Sequence, residues 1–370
     1  MSKIVLLAGA RPNYMKVFPL WRAIRDTMPD ARPVVVHTGQ HYDALMSDVF
    51  FTDFGMPKPD RFLGVGSGPH GLQTGKTMIA LEPILQEEKP DLLVVVGDVN
   101  STMAGALVGV KMGIPVAHVE AGLRSFDRTM PEEINRMVTD AVSDILLTSC
   151  RDANENLRRE GIPEEKIHFV GNIMIDSLVA LMPVASKSAI LERLGLSPRK
   201  FVAVTLHRPS NVDDPATLRQ ILDALDELAS SMPVVFPVHP RTRKVMGELA
   251  FTPRHAGFKI LDPLGYLDFL RLESESALVI TDSGGIQEET TYLGISCLTV
   301  RPNTERPITI TRGTNRLVAP DRRAIVENAR AALGRERRRP EIELWDGATA
   351  PRILAVLSSR LGTAHERGVV

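Results

Sequence analysis

Cysteine is nearly missing: Cys150 and Cys297 are the only two in 370 residues. A pair so far apart suits a reduced interior better than a disulfide framework. Each sits beside an apolar, strand-like run and reads as a buried small hydrophobe rather than a nucleophile or ligand. An excess of either charge is missing too. Lys plus Arg number 44 and Asp plus Glu 45, so no bulk positive field exists to hold nucleic acid. Any anion site must be built locally. Long hydrophobic runs are absent: no stretch approaches the ~20 apolar residues of a membrane helix. The first run, Ile4-Val5-Leu6-Leu7, is broken at once by Gly9-Ala10-Arg11-Pro12 and is too short for a signal-peptide core. The expectation is a cytoplasmic protein with neither nucleic acid nor membrane as partner. No Walker loop occurs, no GxGxxG follows the first strand, and HExxH is absent. These absences remove nicotinamide chemistry of the usual kind and argue against catalytic zinc. The expectation is no redox cofactor and no metal, although residue types alone leave magnesium open.

What is present is alternation. Apolar β-branched runs occur at Ile4–Leu7, Pro33–His37, Leu92–Val96, Val116–Val119, Ile145–Leu147 and His168–Val170. Segments with helical spacing lie between them, among them Tyr14–Met28, Leu72–Glu88, Ser101–Met112 and Glu132–Val142. Continuously apolar strands separated by helices read as a parallel sheet covered on both faces. The pattern then repeats, with strands expected at Phe201–Leu206, Val234–Val238, Lys259–Leu261, Leu278–Ile280 and Ser296–Thr299. Such a length exceeds what one core usually serves. The expected fold is α/β: two Rossmann-like, doubly wound domains, residues 1–171 and 172–350, facing a cleft. A C-terminal helix and tail, 351–370, is expected to pack back on the first domain. The basic cluster Arg335–Arg339 reads as a solvated helix end.

In doubly wound sheets, ligands lie at the carboxyl ends of the strands, so polar residues there are the candidates. Arg11 and Lys16 sit where the first helix begins. Cations are the wrong sign for a helix N-terminus, and a bound anion resolves the conflict; two surface charges at a loop read equally well. Gly97-Asp98-Val99-Asn100-Ser101 ends the third run, where one residue suffices as a helix cap and several compete. Glu120 follows an apolar strand in His118-Val119-Glu120-Ala121-Gly122-Leu123-Arg124. Glu132 and Glu133 follow Pro131, and at least one of them suits the first turn of a helix on dipole grounds alone. Three carboxylates converging on one site repel one another, which raises pKa values and yields proton donors and acceptors near neutral pH. In the second half, His207-Arg208 ends the first strand. Thr281-Asp282-Ser283-Gly284-Gly285-Ile286-Gln287-Glu288-Glu289 is the strongest local signal. Two glycines let backbone approach a phosphate at a helix start, and Glu289 lies within reach of ribose hydroxyls. As a plain turn, the same string needs only Ser283 as its cap. Phe269 is core by default, yet aromatics near nucleotide sites stack on bases.

In this order, these motifs resemble the non-hydrolysing UDP-N-acetylglucosamine 2-epimerases. The resemblance is carried by Gly9-Ala10-Arg11-Pro12 with Lys16, Thr38-Gly39-Gln40-His41, Gly97-Asp98, the 118–124 string, Pro131-Glu132-Glu133-Ile134-Asn135-Arg136, His207-Arg208 and the 281–289 string. It implies a glycosyltransferase-B-like fold, a UDP-sugar as partner, a homodimer, and no cofactor. It implies that Asp98, Glu120 and Glu132 form the acid/base group, supported by Lys16 and Arg136. Arg11, His207, Ser283, Gly284 and Gly285 then hold the diphosphate, Glu289 the ribose and Phe269 the uracil. The implied reaction interconverts UDP-GlcNAc and UDP-ManNAc through UDP elimination to a glycal. A hydrolysing or variant-sugar relative and a glycosyltransferase of the same fold are the alternatives. Ser210 and Ile308 stand where many members carry glutamate, which bears on the sugar rather than the fold. Asp43 stands where members with a regulatory substrate site near Gln40 and His41 often carry glutamine.

Overall fold

The computed structural model describes residues 1–9, 11–39, 55 and 58–367, with the side chains of 11, 12 and 362–367 outside that description. Gln40, His41 and Asp43 therefore lie outside the described residues, as does the side chain of Arg11. The chain forms two compact units, Met1–Ala180 with Glu343–Val370, and Leu181–Ile342.

The first unit is built on seven strands: β1 (Ser2–Ala8), β2 (Ala31–His37), β3 (Arg61–Phe62), β4 (Leu92–Val96), β5 (Val116–Ala121), β6 (Ile145–Thr148) and β7 (Ile167–Phe169). All pair in parallel, in the order β3-β2-β1-β4-β5-β6-β7. The second unit holds β8 (Val202–Thr205), β9 (Val234–Pro237), β10 (Phe258–Leu261), β11 (Leu278–Thr281), β12 (Cys297–Val300) and β13 (Asn315–Val318). These are again parallel, in the order β10-β9-β8-β11-β12-β13. The continuous apolar runs explain the arrangement. Every residue of β4, Leu-Leu-Val-Val-Val, is buried, which requires a cover of helices on both faces. One such layer joins Val5, Val34, Leu93 and Val95 with Leu81 and Leu85 of the helix His70–Glu88. Both cysteines are buried, and among the described residues neither forms a disulfide.

Each sheet reverses its strand order once, between β1 and β4 in the first and between β8 and β11 in the second. At such a point, neighbouring connections run to opposite faces and leave a crevice at the strand ends, where ligands of this fold class bind.

Sequence reading put the join at residue 172 and the end of the second domain at 350. The units instead divide after Ala180 and before Glu343. Residues 343–350 pack on the first unit: the Trp345 indole donates to the Ser149 carbonyl at 3.0 Å, and Asp176 accepts the Thr349 and Ala350 N–H groups at 3.0 and 2.7 Å. The terminal helix Thr349–Arg367 also contacts the helix Arg11–Thr27. No helix among the described residues is long and apolar enough to cross a membrane.

Candidate active site

The first unit gathers its polar residues at the reversal point. Lys16 lies in the second turn of the helix that leaves β1 and is buried. Opposite, the pairing of β5 with β6 shifts register, and Glu120 adopts φ 69°. A left-handed backbone is rare for a residue with a side chain, and buried examples concentrate at working sites. The Lys16 ammonium pairs with Glu120 Oε2. Gly97, at φ 70°, directly follows β4 and meets the pair. A Cβ there would lie 2.8 Å from Lys16 Nζ, 3.3 Å from Asn13 Nδ2 and 3.8 Å from Glu120 Oε2. Glycine is thus required twice over, by its backbone and by its neighbours.

Asp98 comes next and is half-buried; Arg136 Nη1 donates to its Oδ2 at 2.5 Å. Arg136 belongs to the helix Pro131–Val142, which also carries both candidate glutamates. Their roles separate. Glu133 is buried and accepts from Ser125 N (2.9 Å), Ser125 Oγ (3.0 Å), Phe126 N (2.9 Å) and Arg136 Nη2 (2.6 Å). Burial alone would raise its carboxyl, but these donors and the guanidinium hold it below the usual range. It anchors the loop ahead of its helix. Glu132, on another face, is half-buried and has no ion pair among the described residues. The structure thus brings Lys16, Asp98, Glu120 and Arg136 together, with Glu132 on the helix that supplies Arg136. Two of the candidate carboxylates, Glu120 and Asp98, are each paired with a cation, Lys16 and Arg136, which counters the repulsion expected between them.

The second unit uses its own reversal point. His207 and Arg208 follow β8; Asp282 and Ser283 follow β11. Asp282 is completely buried and accepts from His207 N at 3.1 Å, Arg208 N at 2.9 Å and Asn211 Nδ2 at 3.1 Å. Its Oδ1 also lies 3.0 Å from His207 Nδ1. Burial opposes the charge on Asp282, but His207 and the backbone donors outweigh it and hold the carboxyl low. The His207 side chain is 54% exposed, so one ring edge is fixed and the other is left to solvent or a ligand.

Ser283 takes the cap position of the helix Gly284–Leu293, but its hydroxyl makes no capping bond. The simple cap that the sequence allowed is therefore not formed, and the first-turn N–H groups keep their capacity for an anion. Gly284 faces an ion cluster: a Cβ would meet Arg306 Nη1 at 2.5 Å and Glu305 Oε1 at 2.8 Å. Arg306 in turn pairs with Glu288 at 2.9 Å, and Arg301 with Glu305 at 2.8 Å. Glu289 is buried and accepts the Tyr266 hydroxyl at 2.7 Å. Glu273 is also buried; burial and the neighbouring Glu289 push its carboxyl well up, and burial raises that of Glu289 too. Phe269, one turn from Tyr266, is half-buried against the core around Leu272 and Val279. Among the described residues, no three His, Cys, Asp or Glu side chains group as a metal site.

Asp282 and Glu133 stood inside the quoted strings with no special role assigned, and Asp140, described below, stood outside them. Asp282 and Asp140 bind partners distant in sequence, and Glu133, whose partners are near, depends on which helix face turns inward, so the local pattern carried no signal for them.

A family model described as UDP-N-acetylglucosamine 2-epimerase matches residues 23–358. This chain belongs to that family. The UDP-N-acetylglucosamine 2-epimerase of Methanocaldococcus jannaschii is 40% identical over 365 residues, spanning 96% of this chain and 99% of the relative. A crystal structure of the epimerase from that organism in complex with UDP-GlcNAc and UDP superposes with a TM-score of 0.89, covering 97% of this chain and all of that one. A UDP-2,3-diacetamido-2,3-dideoxy-D-glucuronate 2-epimerase of Pseudomonas aeruginosa is 44% identical, over 90% of this chain and 93% of the relative. The spinosyn rhamnosyltransferase SpnG, at 15% identity and a TM-score of 0.54 over 98% of this chain and all of that one, shares the fold alone. The two-unit α/β architecture is thus common to the epimerase family and a glycosyltransferase.

Proposed function

We propose that this chain interconverts UDP-N-acetylglucosamine and UDP-N-acetylmannosamine, with the first unit as acid/base and the second as holder of UDP. One observation carries the reading: each unit places its polar residues at its own strand-order reversal, acids with cations in one, a histidine and an uncapped helix start in the other.

The chemistry explains why both are needed. The C2 hydrogen of an N-acetyl sugar has no adjacent carbonyl to take its charge. If a carboxylate removes that proton while the C1–O bond to UDP breaks, the electron pair forms the C1–C2 double bond of a glycal. A carboxylic acid then protonates C2 on the other face, and UDP oxygen returns to C1. Protons and electrons balance without an oxidant. Asp98, Glu120 and Glu132 are the donors and acceptors, and Lys16 and Arg136 fix two of them. A positioned acid/base group gives on the order of 10² to 10⁴ in rate. Arg11, His207 and the helix start at Ser283, Gly284 and Gly285 meet the charge that develops on the departing diphosphate. Glu289 takes the ribose and Phe269 the uracil. In this reading, the enzyme works in the cytoplasm as a homodimer.

A second reading draws on the Pseudomonas aeruginosa relative: the same reaction on a diacetamido uronate. Incubation in D₂O with either UDP-sugar tests both. Deuterium at C2 together with the opposite epimer supports epimerisation and names the sugar. Stoichiometric free UDP points to hydrolysis. An intact, unexchanged C2–H with each sugar refutes the proposal.

A further inference from the structure

His118 is the residue on β5 two places before Glu120, and it is completely buried. Its Nδ1 lies 2.6 Å from Asp140 Oδ1, and its Nε2 lies 2.8 Å from the Gly97 carbonyl oxygen. A carbonyl only accepts, so Nε2 carries a proton. The carboxylate accepts as well, so the ring donates from both nitrogens. Asp140 is committed on its other oxygen, which receives Gly122 N at 3.0 Å and Arg124 Nη1 at 2.7 Å. Burial opposes its charge, but His118 and Arg124 hold it ionised, with its carboxyl below the usual range. Arg124 is balanced in turn by Glu160, bound through two nitrogens at 2.7 and 2.6 Å. The network closes with every charge answered. It meets the candidate site at the Gly97 carbonyl.

That contact matters because Gly97 sits in a left-handed turn, against Lys16 and Glu120, and directly precedes Asp98. The other bonds that hold this turn are spread along it: Gly97 N donates to Val119 O at 3.0 Å, Asn135 Nδ2 reaches the Asp98 carbonyl at 2.9 Å, and Arg136 holds the Asp98 carboxylate at 2.5 Å. Of these side chains, His118 alone holds the Gly97 carbonyl. We propose that His118 is a positioning residue for the reaction, a buried clamp that fixes the Gly97 carbonyl and so the direction in which Asp98 is presented. The inference rests on the reading of Asp98 as an acid/base residue.

The test compares H118F, which keeps a ring and removes both donors, with D98N and E160Q in the full-length enzyme. C2 exchange with UDP-GlcNAc in D₂O, the dissociation constant of UDP and the thermal midpoint are measured for each. H118F is expected to lose about 10² in exchange kcat, the scale of a misplacement near 1 Å. Its UDP affinity should stay at the parent value, because none of the UDP-holding residues, Arg11 included, is among His118, Asp140, Arg124 and Glu160. E160Q loosens the same buried network at its far end and should exchange at the parent rate. D140N is the conservative variant: its amide oxygen stays on Gly122 and Arg124, its NH₂ donates to Nδ1, and the remaining ring proton stays on Nε2. It should lose much less than H118F. A ¹⁵N spectrum of the parent protein should show both His118 ring nitrogens protonated. Parent-like exchange in H118F while D98N is dead overturns the clamp and spares the reading of Asp98. Parent-like exchange in D98N sinks that reading itself. Equal losses in H118F and D140N, or in H118F and E160Q, place the effect in the charge or stability of the network and overturn the proposal. If H118F fails to fold, H118N, too short to span Asp140 and Gly97 together, takes its place under the same expectations.

Discussion

Replacing Asp282 by Asn tests the second unit most sharply. The carboxylate serves four donors: the N–H groups of His207 and Arg208, the Asn211 amide and the His207 ring. An amide of the same shape keeps one acceptor oxygen and turns an NH₂ toward donors. At least one buried backbone N–H then lacks an acceptor, at about 1–3 kcal/mol. Urea unfolding should show a loss of that size. The functional loss should come through His207, whose ring is no longer held. A hydrogen bond to a charged group contributes about 1.5–3 kcal/mol, so UDP should bind roughly 10- to 100-fold more weakly by calorimetry. H207N should weaken UDP by a similar factor, and the double variant D282N/H207N should be little worse than either, because both remove one interaction. Full additivity of the two, or D282N binding UDP like the parent, would refute the assignment of Asp282 as the holder of His207.

Other outcomes follow from the same geometry. D98N should abolish C2 exchange while leaving UDP affinity nearly intact; unchanged turnover would remove Asp98 from the acid/base group. G97A should cost about 1–2 kcal/mol from left-handed backbone alone, and more if the added methyl parts the Lys16–Glu120 pair; an unfolding curve superimposable on the parent's would contradict this. Burial holds the His37 ring down at about 4, and its Nδ1 already accepts Gly39 N at 3.2 Å. The unfolded chain therefore takes up that proton first, near pH 6.5. Stability should be full above that pH and fall by up to about 3 kcal/mol as pH drops toward 4, and H37Q should flatten the slope between those values.

The strands were legible because continuous apolar runs have few other uses. β4 coincides with the expected run, and most others shift by a residue or two at their ends. Two strands escaped. Arg61–Phe62 is too short to show a pattern, and Asn315–Val318 is half polar because it lies at a sheet edge. The helix Arg151–Arg159 was lost in its own charge. At the site, position along the chain was readable and partnership was not. Strand ends announce themselves, whereas the pairing of Glu133 with Ser125 and Phe126, rather than with a ligand, depends on which helix face turns inward. The cluster Arg335–Arg339 shows the same blindness. Arg337 is no solvated end: its guanidinium donates to the carbonyls of Leu293 and Ser274 at 2.8 Å each, closing the ends of two helices. Ser283 erred the other way, since a good cap residue by type makes no cap in place.

The path of the chain has a consequence for its birth. The second unit is one uninterrupted stretch, while the first is left unfinished at Ala180 and completed only from Glu343 onward. On the ribosome, the inserted unit emerges entire and can fold while its host still waits for Trp345 and the helix that Asp176 caps. Until that closing segment arrives, the apolar surface destined for Ile353 and Leu357, both fully buried in the finished protein, stays open to water and to other nascent chains. Stalled or truncated synthesis near residue 342 would therefore release a sound second unit joined to an aggregation-prone first one.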